Sequence, residues 1–196
     1  MTRRPLPVLG LALGVALLAC TGPSLAEVAV GDPAPQFTLA DLDGRTVDLA
    51  SLRGKTVVLE WVNPNCPFSR GHAEAKTMQT TADGHGEVVW LGINSTNPKH
   101  GDHLAPADQK KFFADRGATY EILEDPDGAT GRSYGARTTP HMFVIDPEGK
   151  IAYMGAIDDG PRNASVNYVD AALSALESGN APDPSSTRPY GCSVKY

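Results

Sequence analysis

Cys66 stands in Asn63-Pro64-Asn65-Cys66-Pro67-Phe68-Ser69, between a run of strand character and a stretch of helical character. A cysteine at a helix start meets unpaired amide hydrogens and the positive end of the helix dipole. Both favour thiolate over thiol, and such sites move a cysteine pKa from about 8.5 to roughly 3.5–7.5. Pro67 suits the first turn, where its missing amide hydrogen costs nothing. A lone cysteine is often only a small buried hydrophobe. Prolines and polar residues on both flanks predict instead an accessible, reactive thiol.

Of the three cysteines, Cys20 lies in the leader, so Cys66 and Cys192 are the pair left for chemistry. Two are too few for a disulfide scaffold and enough for a redox couple. Cys192, in Tyr190-Gly191-Cys192-Ser193, could condense with a sulfenic acid or mixed disulfide on Cys66. The alternative is a permanent disulfide stapling the tail, worth up to about 4.7 kcal/mol for so long a loop.

Glu60 interrupts the buried run ahead of Cys66. A carboxylate there is costly unless paired or protonated, and desolvation raises its pKa. The competing reading pairs it with a Lys or Arg. Arg137 and Thr138 could place a cation or a hydroxyl near the thiolate, although a loop arginine is ordinarily just solvated. His100 and His103 hint at a metal but have no adjacent third ligand, so neither metal nor other cofactor is expected. His72, six residues beyond Cys66 on the helix, is expected to face another side.

The elements that position these residues follow from periodicity. Phe37, Leu39, Val47 and Leu49 alternate around Asp43-Gly44, a hairpin signal. The run 56–62 reads as a central strand covered on both faces. A helix is expected from Cys66 to about Ala82, a second buried strand over 87–93, a helix over 107–116, a strand over 120–123 and a helical turn over 128–134. Strands at 142–145 and 151–154 flank Asp146-Pro147-Glu148-Gly149-Lys150. A final helix over 164–177 carries Val166, Val169, Ala172, Leu173 and Leu176 on one face. Strand–helix–strand units followed by a hairpin and a helix give an α/β domain with a mixed sheet flanked by helices. It spans 27–178, and the Pro- and Ser-rich tail 179–196 is expected to be flexible.

Arg3-Arg4, the apolar run from Val8 to Ala19 and the small residues at Ser24-Leu25-Ala26 form a secretory leader over 1–26. The apolar run is shorter than the roughly 20 residues of a membrane span. Leu17-Leu18-Ala19-Cys20 offers a second reading, a lipobox that would anchor the protein through Cys20. Either way the expected location is periplasmic or otherwise exported, where disulfides persist. Loss of the leader removes Arg3 and Arg4 and no acid, so the net charge of −6 becomes −8. An acidic domain without a basic cluster is not a nucleic-acid binder.

Gly31-Asp32-Pro33-Ala34-Pro35-Gln36-Phe37-Thr38-Leu39 with Asp43-Gly44, then Cys66-Pro67-Phe68-Ser69, then Thr139-Pro140 before Met142-Phe143-Val144-Ile145, resembles the thioredoxin superfamily. Specifically, it is similar to the peroxiredoxin-like branch, the alkyl hydroperoxide reductase/thiol-specific antioxidant family. The resemblance implies a thioredoxin-like fold with an N-terminal β-hairpin extension, and a cis-proline loop at Pro140 lying against Cys66. It implies that Glu60 matches the buried acid that exchanges protons with the leaving sulfur, and that His141 comes near Cys66. Two departures are visible. No hydroxyl residue occupies the three positions before Cys66, so fast peroxidase activity is not expected. Ser69 replaces the second thiol of Cys-x-x-Cys, so resolution falls to Cys192 or an external thiol.

The expected function is a thiol oxidoreductase acting on peroxides or protein disulfides with an external thiol as reductant. The alternatives are a copper-binding module, since thiolate favours Cu(I), and a non-catalytic domain held by a Cys66–Cys192 disulfide.

Overall fold

The computed structural model describes Met1 and residues 28–160 and 164–196. Apart from Met1, the leader with its cleavage and lipidation readings at Ala26 and Cys20 lies outside the described residues.

Asp43-Gly44 turns the chain between β1 (Thr38–Asp41) and β2 (Thr46–Asp48), with Leu39 opposite Val47. Asp41 closes the turn by accepting the Asp43 and Arg45 amides, both at 2.8 Å. Three parallel strands form the centre of the sheet: β3 (Val57–Trp61), β4 (Val89–Asn94) and β5 (Glu121–Glu124). β6 (Thr138–Thr139) precedes β7 (His141–Ile145), which pairs antiparallel with β3, and β8 (Ile151–Gly155) forms the far edge. The seven-stranded order is β2-β1-β5-β4-β3-β7-β8. This mixed sheet with its N-terminal hairpin is the thioredoxin-like architecture that the motifs imply.

All of β3 is buried, as an unbroken apolar run predicts. Alternation along it serves two layers. Val57, Leu59 and Trp61 face a cluster containing Leu91, Leu123, Phe143 and Tyr134. Val58 faces the opposite layer, with Met78, Val169, Ala172 and Leu173. The Trp61 ring lies 5.2 Å from the centroids of both Tyr134 and Phe143. Truncating such a side chain costs about 3–5 kcal/mol, so the strand that ends just before Cys66 is firmly fixed.

The single helix expected after Cys66 is two: α1 (Pro67–Ala75) and α2 (Thr77–Gly84), separated by Lys76 at φ 56°. α3 (Pro106–Ala114) and α4 (Ala129–Tyr134) follow. α5 (Tyr168–Glu177) starts later than its periodicity suggests, because the Asn167 side chain caps it by accepting the Asp170 amide at 3.0 Å.

The tail departs most from expectation. Instead of a flexible segment, residues 185–196 are laid along the domain. Met154 N–H donates to Ser185 C=O at 3.2 Å, and Thr187 N–H to Met154 C=O at 3.1 Å. The Thr187 hydroxyl accepts the Ala156 amide at 2.9 Å. β8 is an edge strand with backbone groups to satisfy, and the tail satisfies them. Its last strand, β9 (Cys192–Ser193), pairs antiparallel with β6.

Candidate functional site

Cys66 is the N-cap residue of α1, with extended backbone (φ −79°, ψ 123°) and Pro67 at the first helical position. The approach is pinned from both sides: Asn63 accepts the Asn65 amide on its side-chain oxygen at 2.7 Å and donates to Thr96 at 3.0 Å. The Cys66 amide closes the turn on the Asn63 carbonyl at 3.0 Å. The thiol donates to the Thr139 carbonyl at 2.9 Å, and the bond from Thr139 to Pro140 is cis. Cys66 is 2% exposed. Its flanking prolines suggested an open thiol; the tail crossing the cis-proline loop is what covers it.

Thr139 pairs in register with Cys192. Both cysteines are free thiols, and they lie close enough for each to shift the other's ionisation. Gly191 makes the approach possible. Its φ is 141°, and a Cβ there would fall on the Thr139 carbonyl oxygen and 2.8 Å from its carbon. The segment is also held beyond the cysteine, where Val194 N–H donates to Arg137 C=O at 3.1 Å and Tyr196 OH to Ala136 C=O at 2.7 Å.

The two sulfurs differ electrostatically. Burial pushes the Cys66 thiol up, but the neighbouring Cys192 thiol, the Thr139 side chain, and the Ser69 and Cys192 amides pull the other way and outweigh it. The Cys66 pKa therefore ends below the ordinary cysteine value. Burial, and then the Cys66 sulfur, push Cys192 up to about 11. A thiol of lowered pKa lies beside one of raised pKa.

Among the described residues Glu60 has no cationic partner. Trp90 Nε1–H donates to it at 3.3 Å and Tyr120 adds a second hydrogen bond. Burial dominates and raises its pKa to about 7. Arg137 is exposed; its carbonyl takes the tail amide, and its charge acts on His141. His141 Nδ1 accepts the Arg137 amide at 3.2 Å, its ring lies 4.5 Å from Phe143, and burial lowers its pKa to about 4. Ser69 is buried with its hydroxyl unpartnered among the described residues. Arg70 turns away, donating to Pro64 C=O at 3.1 Å.

His72, six residues beyond Cys66, meets Tyr190 OH through its Nε2 at 2.9 Å, and Tyr190 lies two residues before Cys192. Tyr190 and Asp158 carried no sequence signal as site residues, because only the docked tail brings them there. Among the described residues no three His, Cys, Asp or Glu are gathered as a metal would need. Among them too, no helix is long and apolar enough to cross a membrane.

The chain is 31% identical over 141 residues to the thiol-disulfide oxidoreductase ResA of Geobacillus thermodenitrificans, covering 71% of this chain and 76% of that one. It is 30% identical over 135 residues to the Mycobacterium tuberculosis protein MT2597, whose name places it among the peroxiredoxins, covering 62% and 80%. An uncharacterized conserved protein from Geobacillus kaustophilus superposes with a TM-score of 0.77 at 25% identity, over 86% of this chain and 92% of that one. The description of the AhpC/TSA family matches residues 30–154, and with Cys66 at the helix start facing a cis-proline loop, the chain belongs to that family, in the peroxiredoxin-like branch of the thioredoxin superfamily.

Proposed function

We propose that this protein is an exported thiol–disulfide oxidoreductase in which Cys66 is the attacking thiolate and Cys192 the resolving thiol. The observation that carries the reading is the pair of neighbouring free thiols, with Cys192 held opposite Thr139 and the lower pKa on Cys66.

The Cys66 thiolate attacks one sulfur of a substrate disulfide, forming a mixed disulfide, and the other substrate sulfur leaves as a thiolate that takes up a proton. Cys192 then loses its proton and attacks the Cys66 sulfur, releasing the second substrate thiolate, which is also protonated. The substrate is reduced to two thiols, and the protein is oxidised to a Cys66–Cys192 disulfide. An external dithiol or two monothiols return it to the reduced form. Pro140 keeps the Thr139 carbonyl on the sulfur, and Arg137 holds the tail through its carbonyl. Glu60, with a pKa near neutrality, is the group suited to exchange protons with the leaving sulfur. Export rests on the leader composition of residues 1–26.

A disulfide substrate is favoured over a peroxide. Residues 63–65 supply no hydroxyl to polarise an O–O bond, and Arg70 spends its guanidinium on Pro64 and Asn65. The test is thiol counting with mass mapping after treating the reduced protein with oxidised glutathione. Loss of both thiols with one Cys66–Cys192 bond is expected. A stable glutathione adduct on Cys66 with Cys192 still free contradicts the reading.

A further inference from the structure

Tyr190 is held from several sides at once. Its hydroxyl donates to Asp158 Oδ1 and lies 2.9 Å from His72 Nε2. Its ring packs edge-on to Phe68 with centroids 5.9 Å apart. His72 and Phe68 both belong to α1, the helix that Cys66 caps. Asp158 follows β8 and is bridged to Asn167, the cap of α5.

The hydrogens in this cluster run one way. An ionised carboxylate only accepts, so the single phenolic hydrogen goes to Asp158. The phenolic oxygen must then accept from His72, which therefore carries its hydrogen on Nε2. His72 Nδ1 is left as an acceptor, and Thr77 Oγ1, 3.3 Å away, is the donor that meets it. Thr77, His72, Tyr190 and Asp158 thus form one polarised chain, the kind in which each bond strengthens the next. Burial lowers the His72 pKa, in keeping with a neutral ring.

Tyr190 itself makes no contact with a sulfur in this network. What it controls is the station of the residue two places on. A thiol on a free tail would meet Cys66 at the low effective concentration of a long tether, whereas one anchored next to it meets it far more often. Gly191 adds the close backbone approach but no grip, so the side-chain grip nearest the cysteine on its N-terminal side is Tyr190, with Thr187 anchoring the tail further back.

We propose that Tyr190, clasped by Asp158 and His72, is a positioning residue that holds Cys192 on Cys66 and sets the effective concentration of the resolving thiol. This rests on the reading that Cys192 resolves Cys66.

The experiment equilibrates the purified protein with reduced and oxidised glutathione: Cys66 and Cys192 thiols plus one oxidised glutathione give the protein disulfide plus two reduced glutathiones. The ratio is read by mass after acid quenching. Tyr190→Phe keeps the ring on Phe68 and removes the hydroxyl. It should lower the equilibrium constant for disulfide formation about tenfold, the scale of a hydrogen bond to a charged group. Asp158→Asn keeps an acceptor but not the charge, and should lower it about threefold; it serves as the readout if Tyr190→Phe does not fold. A wild-type disulfide with an unshifted constant in the variant, even beside a lowered melting temperature, overturns this inference and leaves the proposed function standing. No Cys66–Cys192 disulfide in the wild type overturns both.

Discussion

Cys192 is the register partner of Thr139, and the carbonyl of Thr139 is the acceptor of the Cys66 thiol at 2.9 Å. One residue thus contacts both cysteines: its strand edge seats the tail, and its carbonyl accepts from the Cys66 thiol. The tail residue before Cys192 has to be glycine for this to occur, since any Cβ there meets the Thr139 backbone. The pairing is therefore built into two separate stretches of sequence, the cis-proline loop and the C-terminus.

The first prediction concerns the two thiols of the reduced protein. Thiolate absorbance against pH should show two macroscopic steps belonging to the coupled pair, the first below the ordinary value of about 8.5 and the second near 11. Cys192→Ala removes a neighbour that lowers the Cys66 pKa and should move the Cys66 step upward. Two coincident steps near the ordinary value would show that the tail does not activate Cys66.

Replacing Cys192 by Ser should leave the fold intact, because the hydroxyl fits the same strand position and the tail keeps its bonds through Thr187, Val194 and Tyr196. Oxidation of this variant should accumulate Cys66 as a sulfenic acid or an intermolecular disulfide. Mass spectrometry identifies the product. If the variant unfolds while Cys66 oxidation products stay as in wild type, the Cys66–Cys192 relation is structural and the proposed cycle is wrong.

The sequence made the strands and helices legible because each carries its own period and caps. The Asp43-Gly44 turn, the buried run at β3 and the hairpin around Asp146-Pro147-Glu148-Gly149-Lys150 all lie where the pattern placed them. Cys66 at a helix start and the cis bond at Pro140 were readable from local motifs. The tail was not, because its docking depends on what it meets rather than on its composition. Pro and Ser around 179–188 say only that no helix forms there; the free edge of β8 and the clefts at Gly155 and Thr139 decide where it lies. Tyr190, His72 and Asp158 are distant in sequence and polar, so nothing in periodicity could join them.

Hydrogen peroxide should oxidise Cys66 slowly compared with a dedicated peroxidase. No hydroxyl precedes the cysteine, and the nearest guanidinium on α1 is committed to Pro64. Stopped-flow fluorescence of Trp61 and Trp90 gives the rate. A constant approaching the diffusional ceiling of about 10⁸ M⁻¹s⁻¹ would mean that other residues polarise the peroxide.

Gly191→Ala places a Cβ against the Thr139 carbonyl, at a φ that side chains rarely adopt. The tail should lift at Cys192 while its anchors at Thr187 remain. Cys66 would then lose both its cover and its neighbouring thiol. Two readouts should move together: faster reaction of Cys66 with a bulky maleimide, and less in-chain disulfide at a given glutathione ratio. Faster labelling with an unchanged disulfide equilibrium would show that the cover and the thiol station are separate devices.

The last prediction is a pH dependence of stability set by Glu60. Its carboxyl is buried with no cation beside it among the described residues, and burial holds its folded pKa at about 7 against an ordinary value near 4.5. Between those values the folded protein keeps a proton that the unfolded chain has released. Stability must therefore fall as pH rises through that window and level off above it. The raised pKa corresponds to about 3 kcal/mol, at 1.36 kcal/mol per pH unit. Glu60→Gln preserves hydrogen bonding to Trp90 and Tyr120 without a titrating group, so it should remove this part of the slope. The variant should accordingly be more stable than wild type at pH 8 relative to pH 4.5, measured by urea unfolding at both. If Glu60 also handles protons in catalysis, the same variant should slow disulfide exchange and flatten its rate profile near pH 7. A flattened stability slope beside an unaltered rate profile would assign Glu60 a structural part only.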